Sequence, residues 1–149
     1  MEKYEKFTLL IGKIEKDIKR IKCDQMREYG LRGIHVNCLY YLYNGIANTV
    51  IVLVNLLGED KGNVSRGIEY LEVQGLIKPR NQDTRRRHNE RIELTKRGEE
   101  IAKVVCKKID EFVEEVSVGL SADELKSMYS ALNIISDNLD KIGAKKNND

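Results

Sequence analysis

The chain has 149 residues, enough for one domain with a core, and its 41% hydrophobic and 34% charged residues suit a soluble globular protein. One proline (Pro79), three cysteines without a Cys-x-x-Cys pair (Cys23, Cys38, Cys106) and no apolar run longer than Val50–Leu57 exclude a Pro-rich linker, a zinc knuckle, a closed disulfide framework and a membrane span of about 20 residues. Net charge is only +2, yet residues 78–98 hold eight basic and three acidic residues while residues 99–149 hold seven and eleven, which concentrates cations in one short block of the kind that meets nucleic acid.

Met1–Lys6 shows no basic start before an apolar run, so no secretory signal is expected, and the odd cysteine count suits a reducing cytoplasm. From Lys3 to about Tyr29, Phe7, Ile11, Ile14, Ile18 and Ile21 recur at spacings of 4, 3, 4 and 3. That spacing predicts a helix with a narrow apolar stripe made for a partner helix. Leu31 to Tyr43 reads as a helix with Leu31, His35, Cys38 and Leu42 on one face, and Gly45–Asn48 as a connector with room for a short strand. Val50–Leu57 is a strand by propensity, whereas Thr49 as N-cap, Gly58 as C-cap and Leu53 one turn before Leu57 favour a helix. Periodicity leaves both open.

Asp60 can cap a helix from Lys61 to Gln74 that turns Val64, Ile68 and Leu71 inward and ends at Gly75. Leu76–Arg80 then reads as a strand, Asn81–Glu90 as a polar arginine-rich tip and Arg91–Leu94 as the returning strand. Thr95 caps the next helix, Lys96 to about Val118, with Gly98 in its opening turn and Ile101, Val105, Ile109, Phe112 and Val116 on one face. Ser121 and Glu124 form a capping box before a seam of Leu125, Met128, Leu132, Ile135, Leu139 and Ile142. Helix, tight turn, helix and hairpin make a winged helix-turn-helix in a mainly α chain with a small β-hairpin wing. Its boundaries are residues 31–95 for the lobe, 1–30 and 96–144 for long dimerisation helices, and 145–149 for a polar tail, all within one domain. The seams exceed what so small a core can cover, so a homodimer is expected.

The residues now resemble the MarR family of bacterial transcriptional regulators. The family's Thr-x-x-Glu-Leu-Ala-x-x-Leu-Gly stands here as Thr49, Val52, Leu53, Val54, Leu57 and Gly58, a resemblance that moves Val50–Leu57 from strand to helix. Val64-Ser65-Arg66, Ile68, Leu71-Glu72 and Gly75-Leu76-Ile77 follow in the family's order, as do the wing's Asp-x-Arg-x-x-Arg, standing as Asp83-Thr84-Arg85-Arg86-Arg87-His88, and the closing Leu94-Thr95-Lys96-Arg97-Gly98. Val52 and Val54 replace polar or small positions, Gly62 and Gly67 place two glycines in the second helix, and His88 stands where the family often has another wing arginine.

The resemblance implies a homodimeric regulator of double-stranded DNA, a ligand-responsive repressor on a pseudo-palindromic operator. Lys61, Gly62, Asn63, Ser65 and Arg66 would face the major groove, Arg66 suiting guanine or phosphate, Asn63 suiting adenine and Ser65 suiting phosphate. Because that helix segment is net acidic, the affinity falls to the wing, where Arg85, Arg86 and Arg87 can reach a narrow minor groove. By resemblance, Asp83 orients Arg85, while Lys78, Arg80 and Arg91 are expected beside the backbone. His35, Cys38, Tyr41 and Cys23 are the candidates for a pocket taking a small organic effector. Two other functions fit the residues: an oxidant-sensing repressor gated by Cys23 or Cys38, and a winged-helix module that binds protein through Arg85–Arg87. With only His35 and His88, and with no phosphate-binding glycine loop, no enzyme, cofactor, metal or membrane partner is expected.

Overall fold

The structure, a computed structural model, describes residues 2–87 and 89–146. His88 and residues 147–149 of the expected tail lie outside them. Helix α1 (Glu2–Tyr4), a π-helical turn (Glu5–Leu9), α2 (Leu10–Met26) and a 3-10 turn (Arg27–Tyr29) follow one another over the predicted first helix. Exposed i,i+4 pairs such as Lys13–Asp17 and Glu15–Lys19 line its polar side. Gly30, in the left-handed region at φ 66°, ends the run.

Next come α3 (Gly33–Tyr43), α4 (Val50–Leu57) and α5 (Lys61–Val73), with α3 and α4 both packed on α5. Val50–Leu57 is a helix because both ends are satisfied. Thr49 is extended and its Oγ1 accepts the Val52 N–H at 3.3 Å, and Gly58 at φ 61° donates its N–H to the Val54 carbonyl. The β-branched run is accommodated because its inward residues, Val50 and Leu53, are fully buried. With Val36, Cys38, Leu39, Val64, Ile68 and Leu71 they form the centre of the core. Gly67 carries a propensity penalty of roughly 1 kcal/mol against alanine, yet a Cβ there would sit 3.1 Å from Ile34 Cγ1, so the glycine lets α5 close onto α3.

The hairpin is much shorter than predicted. Among the described residues its two arms meet in one isolated antiparallel bridge, Ile77 with Leu94, flanked by Lys78 N–H to the Glu93 carbonyl (2.9 Å) and Thr95 N–H to the Leu76 carbonyl (3.1 Å). Side chains claim the next donors. Pro79 has no N–H, Arg80 donates its N–H to Glu72 Oε1, and Asn81 donates to the Glu90 carboxylate. Nor does the Gly45–Asn48 connector form a strand; its link to the returning arm is Ile92 N–H to the Asn48 carbonyl at 2.7 Å.

At the tip a helical turn, α6 (Thr84–Arg87), replaces an open loop. The following helix α7 (Lys96–Val116) starts at Thr95, whose Oγ1 accepts the Gly98 N–H (3.0 Å) and donates to the Gly75 carbonyl (2.6 Å). Helix α8 (Ala122–Lys146) opens on the expected box, with Ser121 N–H on Glu124 Oε2 and Glu124 N–H on Ser121 Oγ. It runs two residues into the stretch expected as a tail. The chain divides into two compact units at Ile109/Asp110, the first holding α1 to most of α7 and the second the end of α7 and α8. Among the described residues no helix is long and apolar enough to cross a membrane.

Candidate nucleic-acid interface

The tight turn between α4 and α5 sets the first turn of α5 at the surface. Asp60 caps it, its Oδ1 accepting the Asn63 N–H at 2.9 Å, so Lys61, Gly62 and Asn63 form a fixed first turn. Lys61 and Arg66 are exposed and Asn63 is half-buried. Asn63 Nδ2 donates to Glu59 Oε2 at 2.9 Å. Arg66 folds back over the first turn: a Cβ at Gly62 would lie 3.1 Å from both Arg66 Nη1 and Asp60 Oδ1. The phosphate contact expected of Ser65 is not offered in this arrangement. Its hydroxyl is buried and has no hydrogen-bond partner among the described residues, although the residue as a whole is half-buried.

The tip has its own order. Asp83 Oδ1 accepts the Arg85 N–H at 3.0 Å and its carbonyl accepts the Arg86 N–H, so Asp83 holds the backbone of the turn. Its carboxylate stands 3.9 Å from Arg86 Nε, so the side chain it faces is Arg86, whereas the resemblance implied Arg85. Arg85 is exposed, without an ion pair among the described residues. Arg87 is half-buried and its Nε donates to the Asn81 carbonyl at 2.6 Å, which ties the turn to its stem.

The three cations expected beside a backbone are each paired within the chain, Arg80 by a buried contact and Lys78 and Arg91 at the surface. Arg80, its side chain 5% exposed, donates Nε to Glu72 Oε2 at 3.0 Å and so clamps the base of this segment to the end of α5. Burial by itself raises the Glu72 carboxyl, but the Arg80 hydrogen bonds and the charges of Arg80 and Arg87 outweigh it and hold Glu72 below its ordinary value. Lys78 pairs with Glu93 at 2.8 Å, with Arg91 3.8 Å from the same carboxylate.

The effector candidates separate. His35 is buried, its Nδ1 accepts the Arg32 N–H at 3.0 Å, and its ring stacks on Tyr70 with centroids 4.2 Å apart. Burial, then the Arg32 charge, lowers its pKa. It lines a cleft of about 480 Å³ between the start of α3 and α5, shared with Arg32, Asn63, Arg66 and Tyr70. Cys38 is fully buried and burial pushes its thiol up to about 12. Tyr41 is half-buried, its ring edge-on to Tyr40, and Cys23 is exposed. Among the described residues no group of three His, Cys, Asp or Glu is arranged to hold a metal. No pattern along the chain pointed to the Tyr70 stack. The Glu59–Asn63 contact, by contrast, had a signal in its i,i+4 spacing.

No protein-family model and no curated protein matches the chain. Solved structures do. MepR of S. aureus, in a complex with DNA, is 24% identical with a TM-score of 0.77 over 89% of this chain and 97% of that one. NMB1585, a MarR family regulator from Neisseria meningitidis, is 19% identical with a TM-score of 0.78 over 98% and 99%. A MarR transcriptional regulator from Methanosarcina mazei Go1 is 22% identical with a TM-score of 0.76 over 93% and 92%.

Proposed function

We propose that this chain, which has the fold of the MarR family regulators, is a sequence-specific double-stranded DNA-binding transcriptional regulator, a ligand-responsive repressor working as a cytoplasmic homodimer. One observation carries the proposal: a capped helix-turn-helix whose second helix offers Lys61, Asn63 and Arg66 is followed by a tip that holds Arg85 and Arg86 exposed. Residues 76–94 act as the wing, the Ile77–Leu94 bridge and the Arg80–Glu72 clamp fixing its base. Base edges are read from the helix, and the wing arginines supply attraction to the backbone and minor groove.

Exposed apolar seams support the dimer. Phe7, Ile11, Ile14 and Ile18 along the first helix are 36–48% exposed, and Met128, Leu132, Leu139 and Ile142 of α8 are exposed as well. Such stripes are covered by a second copy. The cleft beside His35 supports a ligand response, because Asn63 and Arg66 line both it and the DNA-reading face. An occupant would compete with DNA for the same side chains.

A gel shift with duplex from upstream of the chain's own coding sequence, together with sedimentation, tests the proposal. A dimer protecting an imperfect palindrome with half-sites about one helical turn apart is expected. A stable monomer, or equal affinity for every duplex, refutes it. The exposed Ile51, Val52 and Leu56 of α4 favour a protein-docking module as the second reading, and that reading predicts no shift of any duplex.

A further inference from the structure

We propose that Glu59 is a positioning residue that sets which base edge Asn63 reads, and that the base beneath Asn63 presents an amino donor, adenine N6 or cytosine N4. The inference rests on the DNA-reading role proposed above. It starts from the 2.9 Å hydrogen bond between Asn63 Nδ2 and Glu59 Oε2. An asparagine amide is a two-faced reader, with a nitrogen that donates and an oxygen that accepts. Left free, it can turn over and offer either end, so it recognises donors and acceptors alike. A carboxylate oxygen only accepts, so Glu59 fixes the nitrogen end toward itself.

The backbone holds the rest of the residue. Asn63 N–H is bonded to Asp60 Oδ1 at 2.9 Å, which anchors the residue in the first turn of α5 while Glu59 fixes the side chain. The amide oxygen has no partner among the described residues and is not among the buried unsatisfied atoms. An accepting oxygen in a major groove pairs with the amino groups of adenine and cytosine and is repelled by the acceptors N7 and O6 of guanine and O4 of thymine. Glu59 therefore works by exclusion. It adds nothing to affinity, being an anion near a polyanion, but removes the orientation in which the Asn63 amide nitrogen would donate to the acceptors of guanine or thymine.

The test compares base preference in a randomised duplex selection for the unsubstituted chain and for Glu59→Ala and Asn63→Ala. Asn63→Ala identifies the operator position by the loss of preference there. At that position the wild type should favour adenine or cytosine by at least about 5-fold, the lower end of what one base contact discriminates. Glu59→Ala removes the acceptor and should flatten that preference to within about 2-fold while binding all duplexes more tightly. Uniform tightening with the preference intact in Glu59→Ala would reduce Glu59 to a charge and overturn the inference. So would a wild-type preference for guanine or thymine. Failure of the wild type to select any sequence would sink the DNA-reading role itself, and this inference with it.

Discussion

Replacing Gly98 by alanine should destabilise the protein, although it lies inside a helix where alanine is ordinarily the better residue. A Cβ at Gly98 would stand 1.9 Å from the Leu76 carbonyl oxygen and 2.8 Å from its carbon, both backbone atoms with no rotamer to escape into. Relief requires the first turn of α7 to move off Leu76. That movement strains the Thr95 N–H bond to the same carbonyl and the Thr95 Oγ1 bonds to Gly75 and Gly98. Overpacking costs about 1–3 kcal/mol and each weakened hydrogen bond about 0.5–1.5 kcal/mol. Alanine's helix propensity returns about 1 kcal/mol, leaving a net loss of roughly 2–4 kcal/mol. For a chain of this size that corresponds to a Tm lower by about 5–15 °C. Thermal unfolding followed by circular dichroism, at one fixed concentration because the proposed dimer couples Tm to concentration, measures it. Gly33→Ala at the start of α3, where nothing lies within 4 Å, serves as the control and should be neutral or mildly stabilising. Equal Tm values for the two variants would refute the steric account of the Leu-Thr-x-x-Gly segment.

Arg80→Met should cost roughly 1–3 kcal/mol by leaving Glu72 partly buried without its hydrogen-bonding cation. Because the folded Glu72 pKa is depressed, its contribution is present above about pH 4.5 and lost as pH falls through the lowered value, so the wild-type advantage in urea unfolding should shrink in acid. The depressed pKa of His35 has the opposite origin: the unfolded imidazole takes a proton below about pH 6.5 that the folded one resists, so stability falls as pH drops from 7 to 5. Replacing His35 with phenylalanine should flatten that slope, and an unchanged slope would show that His35 titrates freely. Iodoacetamide on the native protein should label Cys23 and spare Cys38 until unfolding; prompt labelling of Cys38 would contradict its burial.

Where neighbours along the chain decide a feature, the sequence was legible. Thr49, Gly58, Asp60, Gly75, Thr95 and the Ser121–Glu124 pair each act within a few residues, and each stands where expected. The hairpin was misjudged in length because alternation along Arg91–Leu94 records which face is apolar and is silent on where donors go. Glu72, at the end of the preceding helix, and Glu90, at the end of the tip, take the N–H groups of Arg80 and Asn81, which no pattern along either arm records. Ser65 was assigned a phosphate contact from motif position alone, which is silent on burial, and its hydroxyl is buried without a partner among the described residues.

The same distinction bears on how strongly salt should weaken the proposed DNA binding. Eight basic residues in 78–98 suggest eight cations able to displace counterions. Three have other attachments: Arg80 is buried against Glu72, Arg87 holds the Asn81 carbonyl and Arg97 Nη1 holds the Gln74 carbonyl at 3.0 Å. Lys78, Arg85, Arg86, Arg91 and Lys96 remain exposed, and their surface pairings are weak enough to exchange for phosphate. Each phosphate neutralised contributes about 0.9 to the slope of log K against log salt, so the block contributes about 4–5 per protomer where composition suggests about 7. Arg85→Ala should then lower the measured slope by about 0.9 per protomer, weakening cognate and random duplex by similar factors. Arg80→Met should leave the slope unchanged even though it loosens the wing. A slope that falls equally in the two variants would place Arg80 on the DNA and remove it from the clamp, and the wing's base would then need another support.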